Sequence, residues 1–187
     1  MNLSEIIRNR RATPPKFLAK KKVEKELILN LLENANWAPN HKNTEPWRFI
    51  VFQGDSKQTL AKSIFNLLEE KQKEGLEVNM QKAVSFRDNL LHVPVAIAIV
   101  MQRDIAQRIP EWEEIAAVSM AVQNMWLSAT DSGLGAFWAT PPFLPLIQPL
   151  FELKPIQKLL GFFFVGHIAM DYPSPGRGPV SEKVSWK

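Results

Sequence analysis

The sequence predicts an α+β fold in which helices pack on a small central sheet. Two kinds of segment carry this reading. The runs "VPVAIAIVM" (93–101) and "LLGFFFVGHIAM" (159–170) are almost continuously apolar, as strands covered on both faces must be. Segments such as "SKQTLAKSIFNLLEEKQKE" (56–74) instead repeat apolar residues at three- and four-residue spacing, the mark of an amphipathic helix. The two kinds do not follow one another in regular β-α-β order.

In chain order, "LSEIIRNRR" (3–11) reads as a short helix with Ser4 as its cap, Glu5 in the first turn and Arg8, Arg10 and Arg11 at the end. The prolines of "TPPKF" stop it. "VEKELILNLLENANWA" (23–38) is a second helix, with Leu27, Leu31 and Leu32 recurring on one side and Pro39 closing it. "WRFIVFQG" (47–54) is aromatic and β-branched, a strand. The 56–74 helix follows, then another from about Asn79 to Leu91, then the apolar strand 93–101. "EWEEIAAVSMAVQNMWLSATDSG" (111–133) is a helix with almost no polar face. Such a helix must be buried on nearly all sides, as a central helix or a subunit interface. Gly133 supplies its C-terminal cap. "GAFWATPP" (135–142) reads as a strand, "LPLIQPLFEL" (144–153) as broken helix or turn, and 159–170 as the last core strand. The Pro- and Gly-rich tail ends in a polar stretch with a terminal Trp, so 170–187 is expected to be an arm that docks on a partner subunit.

A chain of 187 residues with 45% hydrophobic content suits one globular domain spanning 1–187. Its longest apolar run is too short for a membrane span. Its N-terminus lacks the apolar region of a secretory signal, and a cytoplasmic protein is expected. With no cysteine, there is no disulfide framework, no thiolate metal site and no Cys nucleophile. The net charge of +4 is mild. Its clusters "RNRR" (8–11) and "AKKK" (19–22) read either as solvated helix ends or as local anion sites. Later basic residues are interleaved with acidic ones, as in "LEEKQKEGLE" (68–77), which argues against a nucleic-acid surface.

Most chemistry is excluded before any is assigned. His41, His92 and His167 are far apart and no metal spacing appears, so no metal is expected. There is no G-x-S-x-G elbow and no phosphate loop of the G-x-x-x-x-G-K-[ST] type. "GLG" (133–135) lacks a third glycine, and it ends a helix and opens a strand, the reverse of a dinucleotide turn. A chain so poor in nucleophiles and proton carriers is expected to borrow its reactivity from a cofactor. Arg10 and Arg11 suit a phosphate. His41, Asn43 and Glu45, in the stiff turn "APNHKNTEPWRF" (38–49), suit the edge of a heterocycle. Trp138 and its neighbouring prolines suit the wall of a flat ring. Against these stand plainer readings: an arginine pair complementing a helix dipole, Trp47 in the core, and His167 as a satisfied core histidine. The residues alone are compatible with a planar, phosphorylated cofactor and do not choose between it and these plainer readings.

The set "NRRAT" (9–13), "APNHKNTEPWRF", "AAVSMAVQNMWLSATDSGLGAFW" (116–138) and "GFFFVGH" (161–167) resembles the FMN-dependent nitroreductase superfamily, and in particular its small NAD(P)H nitroreductase subgroup. The resemblance implies a mostly antiparallel central sheet flanked by helices, and an intertwined homodimer with FMN at the interface, each flavin contacted by both chains. It implies ping-pong hydride transfer from NADH or NADPH through FMN to a nitroaromatic, quinone-like or similar small oxidant. Carried over by position, Arg10 and Arg11 match the phosphate- and ribityl-binding pair. Ala12 stands where the family has Ser, with Thr13 or a backbone N–H as substitutes. His41 matches a flavin-binding His reached from the partner, Asn43 the motif Asn, and Glu45 a common Gln. Trp138, Ala139 and Thr140 fall on the flavin-contacting strand end, with Ala139 replacing a basic residue of some relatives. Arg177 sits like a phosphate-touching basic residue near the C-terminus. Ala12, Glu45 and Ala139 also leave room for a flavin-binding sensor or carrier with little reductase turnover.

Overall fold

A fully antiparallel four-stranded sheet forms the middle layer, in the order β1-β2-β4-β3. The strands are β1 (Trp47–Gln53), β2 (Val95–Gln102), β3 (Leu134–Ala139) and β4 (Gln157–His167). The helices are α1 (Leu3–Asn9), α2 (Lys25–Asn36), α3 (Gly54–Lys73), α4 (Met80–His92), α5 (Glu111–Asp131) and α6 (Leu144–Ile147). This computed structural model describes residues 1–173 and 176–187.

The expected α+β architecture is present, and its cause is visible in β2. Residues Val95 to Met101 are each at most 1% exposed. Val95, Ile97, Ile99 and Met101 pack on one side, with α2 and α5. Ala96, Ala98 and Val100 pack on the other, with α3, α4 and α6. A strand with a core on each face has no place for a polar residue, which is why the run is continuous rather than alternating. The second apolar run behaves alike: Phe162 and Phe164 face the α3/α4 side and Phe163 the α5 side.

Helix boundaries depart from expectation where capping chemistry decides them. α1 starts earlier in its cap than Ser4 suggests. Asn2 Oδ1 accepts from the Glu5 N–H at 3.0 Å, and Glu5 Oε2 accepts from the Asn2 N–H at 2.8 Å. Asn caps as well as Ser, and only Asn2 has a Glu three residues later to close the box. Arg10 then lies just past the helix rather than in it. The 144–153 segment is α6 followed by a 3₁₀ turn over Gln148–Phe151, a broken helix as expected.

α5 is central but not wholly covered. Ala117, Val118, Ala121, Val122, Met125 and Ala129 are buried against the sheet and α2. A second stripe remains outside: Trp112 is 67% exposed and Met120 is 39% exposed. The expected arm 170–187 includes residues 174 and 175, which lie outside the described residues. Its start turns back on the chain, with Tyr172 against Phe17 at 4.8 Å between ring centroids, and Trp186 near its end is 94% exposed.

Gly161 is where the sheet depends on the absence of a side chain. Its φ is +141°, and a Cβ there would lie 2.6 Å from both the Ala139 carbonyl oxygen and Trp138 Nε1. Gly161→Ala is therefore expected to lower unfolding free energy by about 1–3 kcal/mol. Gly178→Ala, which meets nothing closer than 3.5 Å, should change little. Equal denaturant midpoints for the two variants would contradict this account of the sheet.

Candidate functional site

The arginine end of the site is assembled by the stop of α1. The chain leaves the helix at Arg10, and Ala12 forms a parallel bridge to Ala136 in β3. Trp126 on α5 fastens this exit twice. Its Nε1–H donates to the Arg11 carbonyl at 2.8 Å, and the Arg10 guanidinium lies over its ring at 4.9 Å. Arg11 is tied back by its own Nη1, which donates to the Arg10 carbonyl at 2.9 Å and to that of Arg8. Arg8, Arg10, Arg11 and Arg177, with Ile7 and Gln123, line a cavity of about 470 Å³. No carboxylate lines it. Burial, and then the charges of Arg177 and Arg11, lower the pKa of Arg10. Four guanidinium groups held together without a counter-charge make this a place for an anion.

One of the substitutes suggested for the missing hydroxyl at Ala12, the Thr13 N–H, is engaged in the fold. Thr13 is buried, and its N–H donates to the Ala136 carbonyl at 2.8 Å. Thr13 lines a neighbouring cavity of about 150 Å³ with Asn9, Thr130 and Leu134, and this lining also includes Arg11 and Asp171.

The end of β3 continues from Ala136, to which Ala12 is bridged. Trp138 pairs in register with Phe163, against which Trp126 packs edge-on at 5.4 Å. Trp138 therefore shares a sheet face with Trp126, whereas Ala139 packs with the core on the opposite face. Buried Trp138 Nε1 has no hydrogen-bond partner among the described residues. Thr140 lies at a separate groove of about 670 Å³, with Met101, Glu111, Lys158 and Leu160.

The turn 38–49 divides as its residues suggest. Trp47 is 4% exposed and donates from Nε1 to Asn36 Oδ1 at 3.0 Å, a core residue launching β1. The preceding polar half stands out from the surface. Lys42, Asn43 and Glu45 all adopt left-handed φ, at 54°, 50° and 42°. Such φ values cost energy for residues other than Gly, and the surroundings must hold them. Asn40 Oδ1 accepts from the Glu45 N–H at 3.0 Å, and Arg48 Nη1 donates to the Glu45 carbonyl at 2.8 Å. His41 Nδ1 meets Glu113 Oε2, in the first turn of α5, at 2.7 Å. The side chains of His41, Asn43 and Glu45 are exposed. His41, Glu113, Pro39, Asn40, Trp112 and Met120 border a shallow cavity of about 340 Å³.

Within one chain the structure thus brings Arg10, Arg11, Arg177, Ala12 and Trp138 to one region and His41, Asn43 and Glu45 to another. Glu113 and Gln123 mark the two on α5, and ten residues of helix separate them by about 15 Å. Arg8, Trp126 and Glu113 join these regions without having been singled out. Arg8 was legible only as one charge of a basic cluster, and Trp126 as one apolar residue of α5.

The model of the nitroreductase family matches residues 7–167, a span that takes in the arginine exit, the 38–49 turn, α5 and the whole sheet. The chain belongs to the nitroreductase family. It is 32% identical over 142 residues to the Bacillus subtilis protein named "Putative NAD(P)H nitroreductase YfhC", covering 76% of this chain and 71% of that one. The solved "Nitroreductase-like Family Protein" of Bacillus cereus superposes with a TM-score of 0.84 at 28% identity, over 100% of this chain and 96% of that one. A structure from Desulfovibrio desulfuricans, titled "putative nitroreductase in complex with fmn", superposes with a TM-score of 0.76 at 23% identity, over 100% and 98%. Among the described residues no group of His, Asp and Glu could hold a metal ion, and no helix is long and apolar enough to cross a membrane.

The segment between β2 and α5 braces the His41 turn. Lys42 Nζ donates to the Arg108 carbonyl at 3.5 Å, and Arg108 grips Asp104 through Nε and Nη2 at 2.8 and 2.9 Å. The hydrogen bonds from Arg108 hold the Asp104 carboxyl down at about 2, against 3.8 ordinarily. A depressed carboxyl pKa contributes stability that is present above the ordinary value and lost as pH falls through the folded one. Wild type should therefore lose stability relative to Asp104→Asn between about pH 4 and pH 2. Urea midpoints measured across that window test this, and parallel curves for the two proteins would refute it.

Proposed function

We propose that the chain is an FMN-dependent NAD(P)H oxidoreductase that works as a homodimer, with each FMN held by residues of both subunits. The observation that carries this reading is the 470 Å³ cavity with arginines and no carboxylate in its lining, set against Trp126 and the exposed end of the sheet. Its charge and size fit a phosphate monoester on a flexible chain. Membership of the nitroreductase family and the FMN named for the Desulfovibrio relative support the same cofactor.

The residues divide the work by chemistry. Arg10, Arg11 and Arg177 would hold the phosphate by charge-assisted hydrogen bonds. Trp138 would flank the ring, Ala139, whose side chain faces the other core, would offer backbone only, and Thr140, at its separate groove, is given no contact. Ala12 offers no hydroxyl, so the arginines carry more of the affinity. Bound FMN would supply two-electron chemistry, in ping-pong order, from NADH or NADPH to a nitroaromatic, quinone-like or similar small oxidant.

The second subunit answers the separation of the two regions. Trp112, Ala116, Met120 and Gln123 recur at helical spacing along the side of α5 that faces away from the sheet. An isologous contact along this stripe would cross two copies of α5 about a twofold axis. The Glu113 end of one helix would then approach the Gln123 end of the other. His41, Asn43 and Glu45 of one chain would reach the flavin whose phosphate is held by its partner. The 170–187 arm, with Val180, Val184 and Trp186 exposed, would pack on the partner.

Purified protein is expected to be yellow or to bind added FMN, and stopped-flow mixing with NADH or NADPH should bleach the bound flavin. Protein that binds no FMN would refute the proposal. Arg10→Ala combined with Arg11→Ala should weaken FMN binding by at least about 1.5–3 kcal/mol, read by flavin fluorescence titration. Unchanged affinity would remove the phosphate role. Met120→Glu should give a monomer in sedimentation and lose FMN affinity together with the dimer. A monomer that kept full affinity would show that one subunit suffices.

A further inference from the structure

We propose that Glu113 is a positioning residue that selects the tautomer of His41, and so decides which ring nitrogen, and which sign of hydrogen bond, the turn offers to the flavin. The inference rests on the function proposed above and goes beyond it in assigning a role to a residue of α5.

The chemistry follows from one contact. His41 Nδ1 lies 2.7 Å from Glu113 Oε2. A carboxylate can only accept, so the proton of this bond sits on Nδ1. In a neutral imidazole only one nitrogen carries a proton, and Nε2 is then left as an acceptor. Nε2 makes no hydrogen bond among the described residues, and the ring is exposed. An acceptor there suits an N–H on the edge of a flavin ring. If the tautomer reversed, Nε2–H would face that N–H, donor against donor.

The surroundings show why the turn needs this partner. His41 is followed by Lys42 and Asn43, both in left-handed φ, so the turn's own backbone does not favour the conformation that presents the ring. Two side-chain contacts join this part of the turn to the α5 side: His41 with Glu113, and Lys42 Nζ with the Arg108 carbonyl. Glu113 is itself well placed to be a fixed point. Its N–H donates to the Pro110 carbonyl at 3.1 Å. The next residue, Glu114, is fully buried, pairs with Arg103, and accepts from the Asp104 N–H at 2.6 Å. The first turn of α5 is thus locked in rotation. Of its three acidic residues, Glu111 is directed to Arg103 and Lys158, Glu114 to Arg103, and Glu113 to His41.

The test compares wild type with Glu113→Gln, both labelled with ¹⁵N in histidine. Long-range ¹H–¹⁵N correlation at about pH 9, where an ordinary imidazole is neutral, reads the tautomer directly, with and without FMN. Wild type is expected to show a protonated Nδ1 and a bare Nε2 at His41. In Glu113→Gln, whose amide can donate as well as accept, the resonances should move toward the opposite tautomer. FMN affinity should fall roughly tenfold, the scale of one neutral hydrogen bond exchanged for a donor facing a donor. A residue serving only to cap or stabilise α5 would lower the melting temperature and leave the tautomer alone. Wild type that shows Nε2–H at His41, or a Glu113→Gln variant with unchanged tautomer and unchanged FMN affinity, overturns this inference while leaving the flavin function standing. Wild type that binds no FMN overturns both.

Discussion

The unbroken length of α5 is the constraint on which the candidate site depends. One helix carries the partner of His41 in its first turn and the ring that seats Arg10 near its end. Side chains do not shorten a helix, and about 1.5 Å of rise per residue keeps the two ends of the site apart in any one chain. The buried face of α5 cannot slide to relieve this, because Ala117, Val118, Ala121, Val122 and Met125 interlock with Val95, Ile97, Ile99 and Met101 of β2 and with α2. What remains free is the outer stripe, where Trp112 and Met120 expose apolar surface that a folded chain ordinarily covers. A site divided between the ends of a rigid rod, and an uncovered stripe between them, are two consequences of the same geometry.

The charge at the arginine end is costly and therefore informative. Arg10 is held near Arg11 and Arg177, and both burial and repulsion disfavour its ionised form. An arginine that served only the dipole of α1 could stand in water and avoid that cost. Trp126 offsets part of it through its ring and orients the segment through its indole N–H. Fully buried Glu114 has Arg103, whereas buried Lys57 is held by the Leu91 and Val93 carbonyls, and burial lowers its pKa as it does that of Arg10. What sets the arginine end apart is four arginines around one cavity with no acid in its lining, an arrangement suited to an anion.

How much of this was legible in the sequence depends on the range of the interaction. The sheet was legible because β2 and β4 are buried on both faces, and burial writes itself locally as an unbroken apolar run. Trp47 could be assigned to the core from neighbours in the chain, whereas Arg10 and Arg11 read there either as a dipole complement or as an anion site. Pairings between distant segments left no such mark. Nothing in "EWEEI" says which of three glutamates faces His41, since that is settled by the rotation of α5, which Arg103 and Glu114 fix across the fold. The engagement of Thr13 with Ala136 was hidden for the same reason. The apolar character of α5 was read correctly as a demand for burial, but the sequence does not say which part of that demand is met inside the chain.

The departures that the resemblance implies at Ala12 and Ala139 are easier to accommodate once their positions are known. Ala12 lies on the exposed exit from α1, beside guanidinium groups that can each make stronger hydrogen bonds to a phosphate than a hydroxyl can. Ala139 points into the α3 side of the sheet, so a basic side chain there would have to be buried or turn around the strand end. Arg177 stands on the arm and still reaches the same cavity as Arg10. Cationic contacts have thus been gathered onto α1's exit and the arm. In the proposed holoprotein an arm supplying a phosphate ligand would be ordered by the ligand it holds, and its exposed Val184 and Trp186 would offer apolar surface to a second subunit. Cofactor and dimer would then stabilise one another through Arg177, because each orders a segment that the other needs.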